Sequence, residues 1–234
     1  MRYAVPVRWR TMSGRGVREA QVEATRAAIL DAAERLFAEH GVHTVSNRQI
    51  SIAAGQGNTA AVGYHFGTKT DLVRAIAGRH AKAIAEIRDR VLAEAGDFTC
   101  VRDWAACTVR PVTEHMAALG SPSWFARFNA QVSADPALFE VMMNEDDLVS
   151  ASREQLRNVL DRFLPDLPHQ VTAVRVLMAR HLIVQMCVET ERALAEGSAT
   201  ARLNWEDTAS DLADAITALW EAPVTRRPGD AASK

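Results

Sequence analysis

Of 234 residues only three are cysteine and two are tyrosine, and no uninterrupted apolar run approaches the length of a membrane span. Cys100, Cys107 and Cys187 are odd in number and lack CxxC spacing, which argues against a disulfide framework or a structural zinc and leaves buried free thiols as the reading. The most apolar stretch, Val176 to Val188, is interrupted by Arg180, His181 and Gln185. The apolar run between Arg2 and Arg8 is too short for a secretory core, so a cytoplasmic protein with no membrane partner is expected. Met12 offers a second start, and residues 1–11 read either as a misplaced start or as a flexible arm. A Walker loop and a Gly-x-Ser-x-Gly elbow are missing, and none of the seven histidines follows a Glu three positions earlier. His40 and His43 straddle Gly41 rather than sharing a helix face. Glu145-Asp146-Asp147 suits a helix start and needs no metal. Catalytic residues, metals and cofactors are therefore not expected.

Charge is scarce in sum and uneven in place. The net charge of −2 rules out a generally basic coat. Up to Lys69, however, nine Lys and Arg face five acids, a local +4, and the remaining 18 basic residues face 24 acids. The front of the chain is built to meet an anion and the back is not.

The front also has the stronger helical pattern. From Val22 to His40, Ala28, Ile29, Ala32, Ala33, Leu36 and Phe37 recur at spacings of three and four, with Arg26, Asp31, Glu34, Arg35 and Glu39 on the other face. Gly41 supplies a left-handed stop. Ser46-Asn47-Arg48-Gln49 is a capping box opening a short helix to about Ala54, and a third helix is expected from about Thr59 to Phe66, with Asn58 as its cap. Gly55-Gln56-Gly57-Asn58-Thr59-Ala60 matches a dinucleotide fingerprint, but helical periodicity precedes it where a strand would be required. The pattern is instead a helix-turn-helix, whose second helix lies in a major groove. Asn58 and Thr59 would hydrogen-bond bases, Ala60 or Ala61 would meet thymine methyls, and Gly63 keeps the helix slim. Arg48, Tyr64, His65 and Lys69 would hold phosphates, as would the amides of a following helix capped by Thr68 and Asp71. Each has a plainer alternative: Tyr64 half buried against Phe37, Lys69 a solvated charge.

These residues, Thr25 to Gly41, Ile50 to Gly55, and Tyr64-His65-Phe66 with Lys69 and Leu72, closely resemble the tetracycline-repressor (TetR) family of bacterial one-component regulators over about Val22 to Leu72. Between Gly55 and Phe66 the chain has one residue more than the usual pattern, expected to be absorbed at Gln56-Gly57, and Gly63 stands where the family often has an aromatic residue. The resemblance implies an N-terminal three-helix DNA-binding domain followed by a larger helical ligand-binding and dimerisation domain. It also implies an operator of double-stranded, palindromic DNA and a homodimer built through helices at about 170–196 and 205–221.

Behind the head the pattern is all-α: Asp71 to Ala93, Val101 to Ala118, Ser123 to Ala134, Pro136 to Asn144, Glu145 to Phe163, Gln170 to Glu196 and Trp205 to Glu221. The expected organisation is a flexible basic arm over 1–21, the head over 22–70, the body over 71–221 and a disordered tail over 222–234. Val171, Val174, Leu177, Met178, Leu182 and Met186 form one candidate dimer stripe. Leu212, Ala215, Ile216, Leu219 and Trp220 form the other, which a monomer could equally bury. Apolar pocket walls are expected from Trp104, Met116, Trp124, Phe125, Phe128 and Met142, and polar groups from Arg110, His115, Asn129, Arg180, His181 and Gln185. Such a mixture suits a largely hydrophobic effector with a polar end, and the function read from these parts is a repressor released by that ligand. The alternative is a helical small-molecule or protein-binding module without sequence-specific DNA binding, motivated by the small residues on the reading helix.

Overall fold

The computed structural model describes residues 14–144, 150–164, 166–198 and 203–224, with side chains described for these except 14, 15, 142–144 and 150–153. The tail beyond 224, most of the basic arm and the acidic run at 145–147 lie outside the described residues.

Among the described residues the chain forms ten helices and no strand: α1 (Gly14–His40), α2 (Asn47–Ala53), α3 (Ala61–Phe66), α4 (Lys69–Ala95), α5 (Val101–Leu119), α6 (Phe125–Ala134), α7 (Pro136–Asn144), α8 (Ser150–Phe163), α9 (His169–Ala195) and α10 (Trp205–Glu221). The all-α expectation holds, with most boundaries within two residues. One difference is at the front. Residues 14–21, expected in a flexible arm, are helical, because Val17 to Ala24 consists of residues that tolerate a helix and includes neither Pro nor Gly.

Local chemistry explains the breaks. Gly41 ends α1 at φ 84°, with its N–H donating to the Phe37 carbonyl at 2.9 Å. The Ser46 capping box is complete: Gln49 N–H donates to Ser46 Oγ at 3.3 Å, and Ser46 N–H donates to Gln49 Oε1 at 2.8 Å.

Two apolar cores stack along the molecule. The first joins Ile29, Phe37, Ile50, Val62 and Phe66 of the head to Leu72, Met116, Phe128, Cys187 and Val188 of the body. Phe37 of α1 lies against Phe128 of α6, ring centroids 6.3 Å apart, so the head is wedged onto α6 rather than hung from a linker. The second core gathers Val91, Trp104, Leu156, Leu212, Ile216 and Trp220. In it Trp104 meets Trp220 edge-on at 5.4 Å and donates through Nε1 to the Leu156 carbonyl at 2.8 Å.

Cys107 and Cys187 are buried, as expected, and burial pushes the Cys187 thiol up to about 12. Cys100 is exposed, contrary to expectation, because it precedes α5 as its cap residue. By length and composition α9 is apolar enough to cross a membrane. Within the chain it packs on α6 and α10.

Candidate nucleic-acid interface and the joint behind it

The turn between α2 and α3 is held from inside. Ser51 is fully buried and its Oγ donates to the Thr59 carbonyl at 3.1 Å, while Gln56 N–H donates to the Ser51 carbonyl at 2.9 Å. Asn58 acts where the sequence placed a cap, its Oδ1 accepting from Ala60 N–H at 2.9 Å. The helix itself starts only at Ala61, two residues later than expected.

That short helix divides its residues sharply. Ala61, Val62 and Phe66 face the core, whereas Asn58, Thr59, Ala60, Gly63 and Tyr64 are exposed. Ala61 is therefore not a base-contact residue; the late helix start turns it inward, and Ala60 remains outside. A side-chain carbon built at Gly63 meets nothing within 4 Å, so no packing inside the protein requires glycine there. Tyr64 is 83% exposed, which removes the alternative that it packs on Phe37; its ring meets His65 edge-on at 5.0 Å. Arg48, on α2, is exposed and His65 is half-buried.

Two charged groups behave differently from expectation. Lys69 Nζ donates to the carbonyls of Val42 at 3.1 Å and Val45 at 2.6 Å, so it ties α4 to the loop after α1 instead of standing free for phosphate. The two carbonyls take two of the three donors of the ammonium. The N-terminus of α4 is likewise occupied: Thr68 N–H and Oγ1–H both donate to Asp71 Oδ2, at 3.1 and 2.6 Å, and these bonds hold the Asp71 carboxyl below its usual range.

Arg26, which periodicity assigned to the solvated face of α1, is a positioning residue for the reading helix. Its Nη1 donates to the His65 carbonyl at 2.6 Å, and its guanidinium lies 4.4 Å from the centre of the Phe66 ring. The partners are 39 residues apart, a distance at which periodicity carries no signal.

The expected pocket residues do not converge. Trp104 belongs to the second core, and Met116 and Phe128 are packed solid in the first. Arg110 pairs with Glu114 at 2.8 Å beside a separate groove of about 380 Å³ between α5 and α10. Asn129 is half-buried and hydrogen-bonds Ser133 at 3.5 Å. Arg180 lies over Phe139 at 4.1 Å. His181 and Gln185 are exposed on α9, because they follow Val174, Leu177 and Met178 at helical spacing on its outer face. Met142 falls on α7, with its side chain outside those described.

Three of the expected residues do meet, at the joint of head and body. His115, Phe125 and Trp124 surround His80, whose Nδ1 pairs with His115 Nε2 at 2.7 Å and whose Nε2 pairs with Glu34 Oε2 at 2.9 Å. Phe125 stacks on His80 at 3.7 Å. Arg79 donates to Glu34 at 2.5 Å and Asp31 at 2.6 Å. Burial opposes charge on Glu34, but the hydrogen bond and charge of His80 together with Arg79 outweigh it and lower the carboxyl. Burial, then the neighbouring His80, lowers His115 to about 4.

A second buried carboxylate supports α6. Glu191 of α9 accepts from Ser123 Oγ at 3.0 Å, Ala126 N–H at 3.0 Å, Arg127 N–H at 3.2 Å and Arg127 Nε at 2.9 Å, capping the helix that carries Phe125 and Phe128.

Comparison with known proteins agrees with this geometry. Residues 29–76 match the family described as bacterial regulatory proteins, tetR family. No curated protein matches the chain. Among solved structures, the fatty acid degradation regulator FadR from Bacillus halodurans is 16% identical, with a TM-score of 0.54 over 86% of this chain and 97% of that one. The TetR-like transcriptional regulator LfrR from Mycobacterium smegmatis, solved in complex with proflavine, is 23% identical, with a TM-score of 0.43 over 87% and 99%. The first likeness establishes a shared fold for head and body together. The match over α1 to α4 covers the turn, the exposed residues around α3 and Tyr64, so residues 29–76 are similar to the DNA-binding domain of the tetR family.

Proposed function

We propose that the protein is a cytoplasmic, non-enzymatic repressor that binds a palindromic operator as a homodimer and is released from it by a small, largely hydrophobic effector. The observation that carries this reading is the outer face of α3. Asn58, Thr59 and Ala60 in the turn and Gly63 and Tyr64 on the helix are all exposed, while Ala61, Val62 and Phe66 engage the core. Small residues let such a helix approach base edges closely, with Thr59 and Asn58 as hydrogen-bonding groups. Arg48, Tyr64 and His65 flank it as phosphate contacts.

Dimerisation is supported by α9. Val174, Leu177 and Met178 are 48%, 45% and 51% exposed on one face, continuing into His181 and Gln185. The second stripe, Leu212, Ile216 and Trp220, is buried against α5 within the chain, so α10 contributes its outer, smaller residues to any such contact. A two-fold protein places two heads about 34 Å apart on successive major-groove faces.

The test is selection of bound fragments from the host genome, followed by binding measured over a salt series. Each phosphate contact contributes roughly 0.9 to the slope of log K against log salt. Tyr64→Ala and Arg48→Ala are expected to weaken binding. A palindromic fragment recovered with two-to-one stoichiometry supports the reading, and binding with no sequence preference refutes it.

A further inference from the structure

The first turns of α1 project from the protein. Residues 17–24 are all exposed, Val17 by 53% and Val22 by 46%, and the first half-buried residues after them are Thr25 and Arg26. None of the eight belongs to either core. A helix already nucleated extends at little cost, so these turns persist without packing of their own. Their register shows which way they face. Arg18 and Val22 precede Ile29 by eleven and seven residues and are four apart, intervals that keep residues on one side of a helix. The stripe that buries Ile29, Ala33 and Phe37 therefore continues outward through Val22 to Arg18, where it is uncovered.

The root of this projection adjoins the reading helix, because Arg26 holds the His65 carbonyl and the Phe66 ring at the end of α3. Arg18 is eight residues, or about 12 Å, farther along the axis. A helix with its side chains is about 10–12 Å across and fills a major groove about 12 Å wide. A group about 12 Å beyond the end of α3 therefore stands at the groove wall, where the phosphates are. Charge agrees with that neighbour. The first 18 residues include five arginines, Arg2, Arg8, Arg10, Arg15 and Arg18, and no acid. Of the acids that follow, Glu19 already has a partner, and Glu23, five positions from Arg18, turns to another side of the helix.

We propose that the projecting start of α1 is a second DNA-contacting element, whose Arg18 holds a phosphate of the strand beside the groove that α3 enters. The assignment rests on the DNA-binding reading above. Such a contact adds affinity and fixes the approach of the head without reading sequence. It complements a reading helix whose exposed residues are mostly small.

The test is fluorescence anisotropy of the full chain on the operator recovered by selection, over a salt series, for wild type, Arg18→Gln and Arg157→Gln. Arg157 is exposed on α8, which packs in the second core, where no residue of the head lies, and it controls for a change of net charge alone. Loss of one phosphate contact lowers the slope of log K against log salt by roughly 0.9, which is roughly eightfold weaker binding at about 0.1 M salt. Arg18→Gln is expected to show that loss with Tm unchanged, because the side chain is exposed, and Arg157→Gln to match the wild type. Ethylation of single phosphates locates the contact: one position whose ethylation weakens wild-type binding should have no effect on Arg18→Gln. A slope equal to that of the wild type, an equal loss in Arg157→Gln, or the same ethylation pattern for wild type and Arg18→Gln overturns the proposal and leaves the DNA-binding reading intact. Failure of the wild type to bind any selected fragment overturns both.

Discussion

Replacing Arg26 by methionine is expected to weaken DNA binding without removing a DNA contact. The guanidinium makes one charge-assisted hydrogen bond, to the His65 carbonyl, and one cation–π contact, with Phe66. A hydrogen bond from a charged donor contributes about 1.5–3 kcal/mol. A partly exposed cation–π contact adds about 0.5–1 kcal/mol. Methionine retains some packing of the alkyl stem, so the net loss is about 2–3 kcal/mol. With six residues α3 is far too short to persist as a helix alone, and the loss falls on its docking. If all of it appears in the docked population, operator affinity falls by at most about 30–150-fold. Fluorescence anisotropy over a salt series is the assay, with thermal unfolding alongside. The expected lines of log K against log salt are parallel for wild type and variant, because no phosphate contact is lost. A slope shallower by about 0.9 with unchanged thermal stability would refute the reasoning and make Arg26 a phosphate ligand.

Three further outcomes follow from the same geometry. Glu191→Ala leaves the α6 amides and Arg127 without their acceptor and should cost about 3–5 kcal/mol, a fall of roughly 6–20 °C in Tm by circular dichroism; a loss under about 1 kcal/mol contradicts the capping role. Lys69→Met removes two charge-assisted bonds to the Val42 and Val45 carbonyls and should cost about 2–3 kcal/mol in denaturant unfolding, with the salt slope of DNA binding unchanged. Acid should destabilise the joint in two stages. His115 binds its proton less readily folded than unfolded, so stability falls as pH drops from about 6.5 to about 4, by about 3 kcal/mol at 1.36 kcal/mol per unit. Glu34, lowered in the folded state, holds stability above its ordinary value of 4.5 that is lost as pH falls below it. His115→Phe should flatten Tm against pH across the upper part of that window, and an unchanged profile rejects the assignment.

Local signals in the sequence located what local physics controls. The Ser46 and Thr68 capping boxes, the Gly41 stop and the bounds of α7 and α10 all depend on residues within a few positions of one another, and they appear where read. Ala61 faces the core because α3 begins only there, behind the Ser51 Oγ bond to the Thr59 carbonyl, and Thr59 gives no sign of this in the sequence. The expected pocket residues lie apart for a related reason. Aromatic and methionine side chains at helical spacing identify a buried face, but not whether that face meets a cavity or another helix. Phe128 and Met116 meet other side chains; His115 and Trp124 meet space. Arg26 and Glu191 were missed because their partners lie 39 and about 65 residues away.

The shared first core limits how this regulator can switch. Phe37 and Phe128 pack directly, and Cys187 and Val188 of α9 belong to the same cluster as Ile29 and Val62 of the head. A close-packed contact of this kind does not deform continuously; it slides in small steps or repacks. The head therefore cannot swing as a separate lobe without opening apolar surface between α1 and α6. Motion with little loss of that contact is shear of α4 along α1, two helices joined by polar groups, Glu34, Arg79 and His80, as well as by apolar ones, Ile29, Leu72 and Ile76. Polar pairs can be broken and remade with a ligand in place of a partner, which packed rings cannot. On this ground the Glu34–His80 contact, and not the Phe37–Phe128 contact, is where the proposed effector would gain leverage over the head.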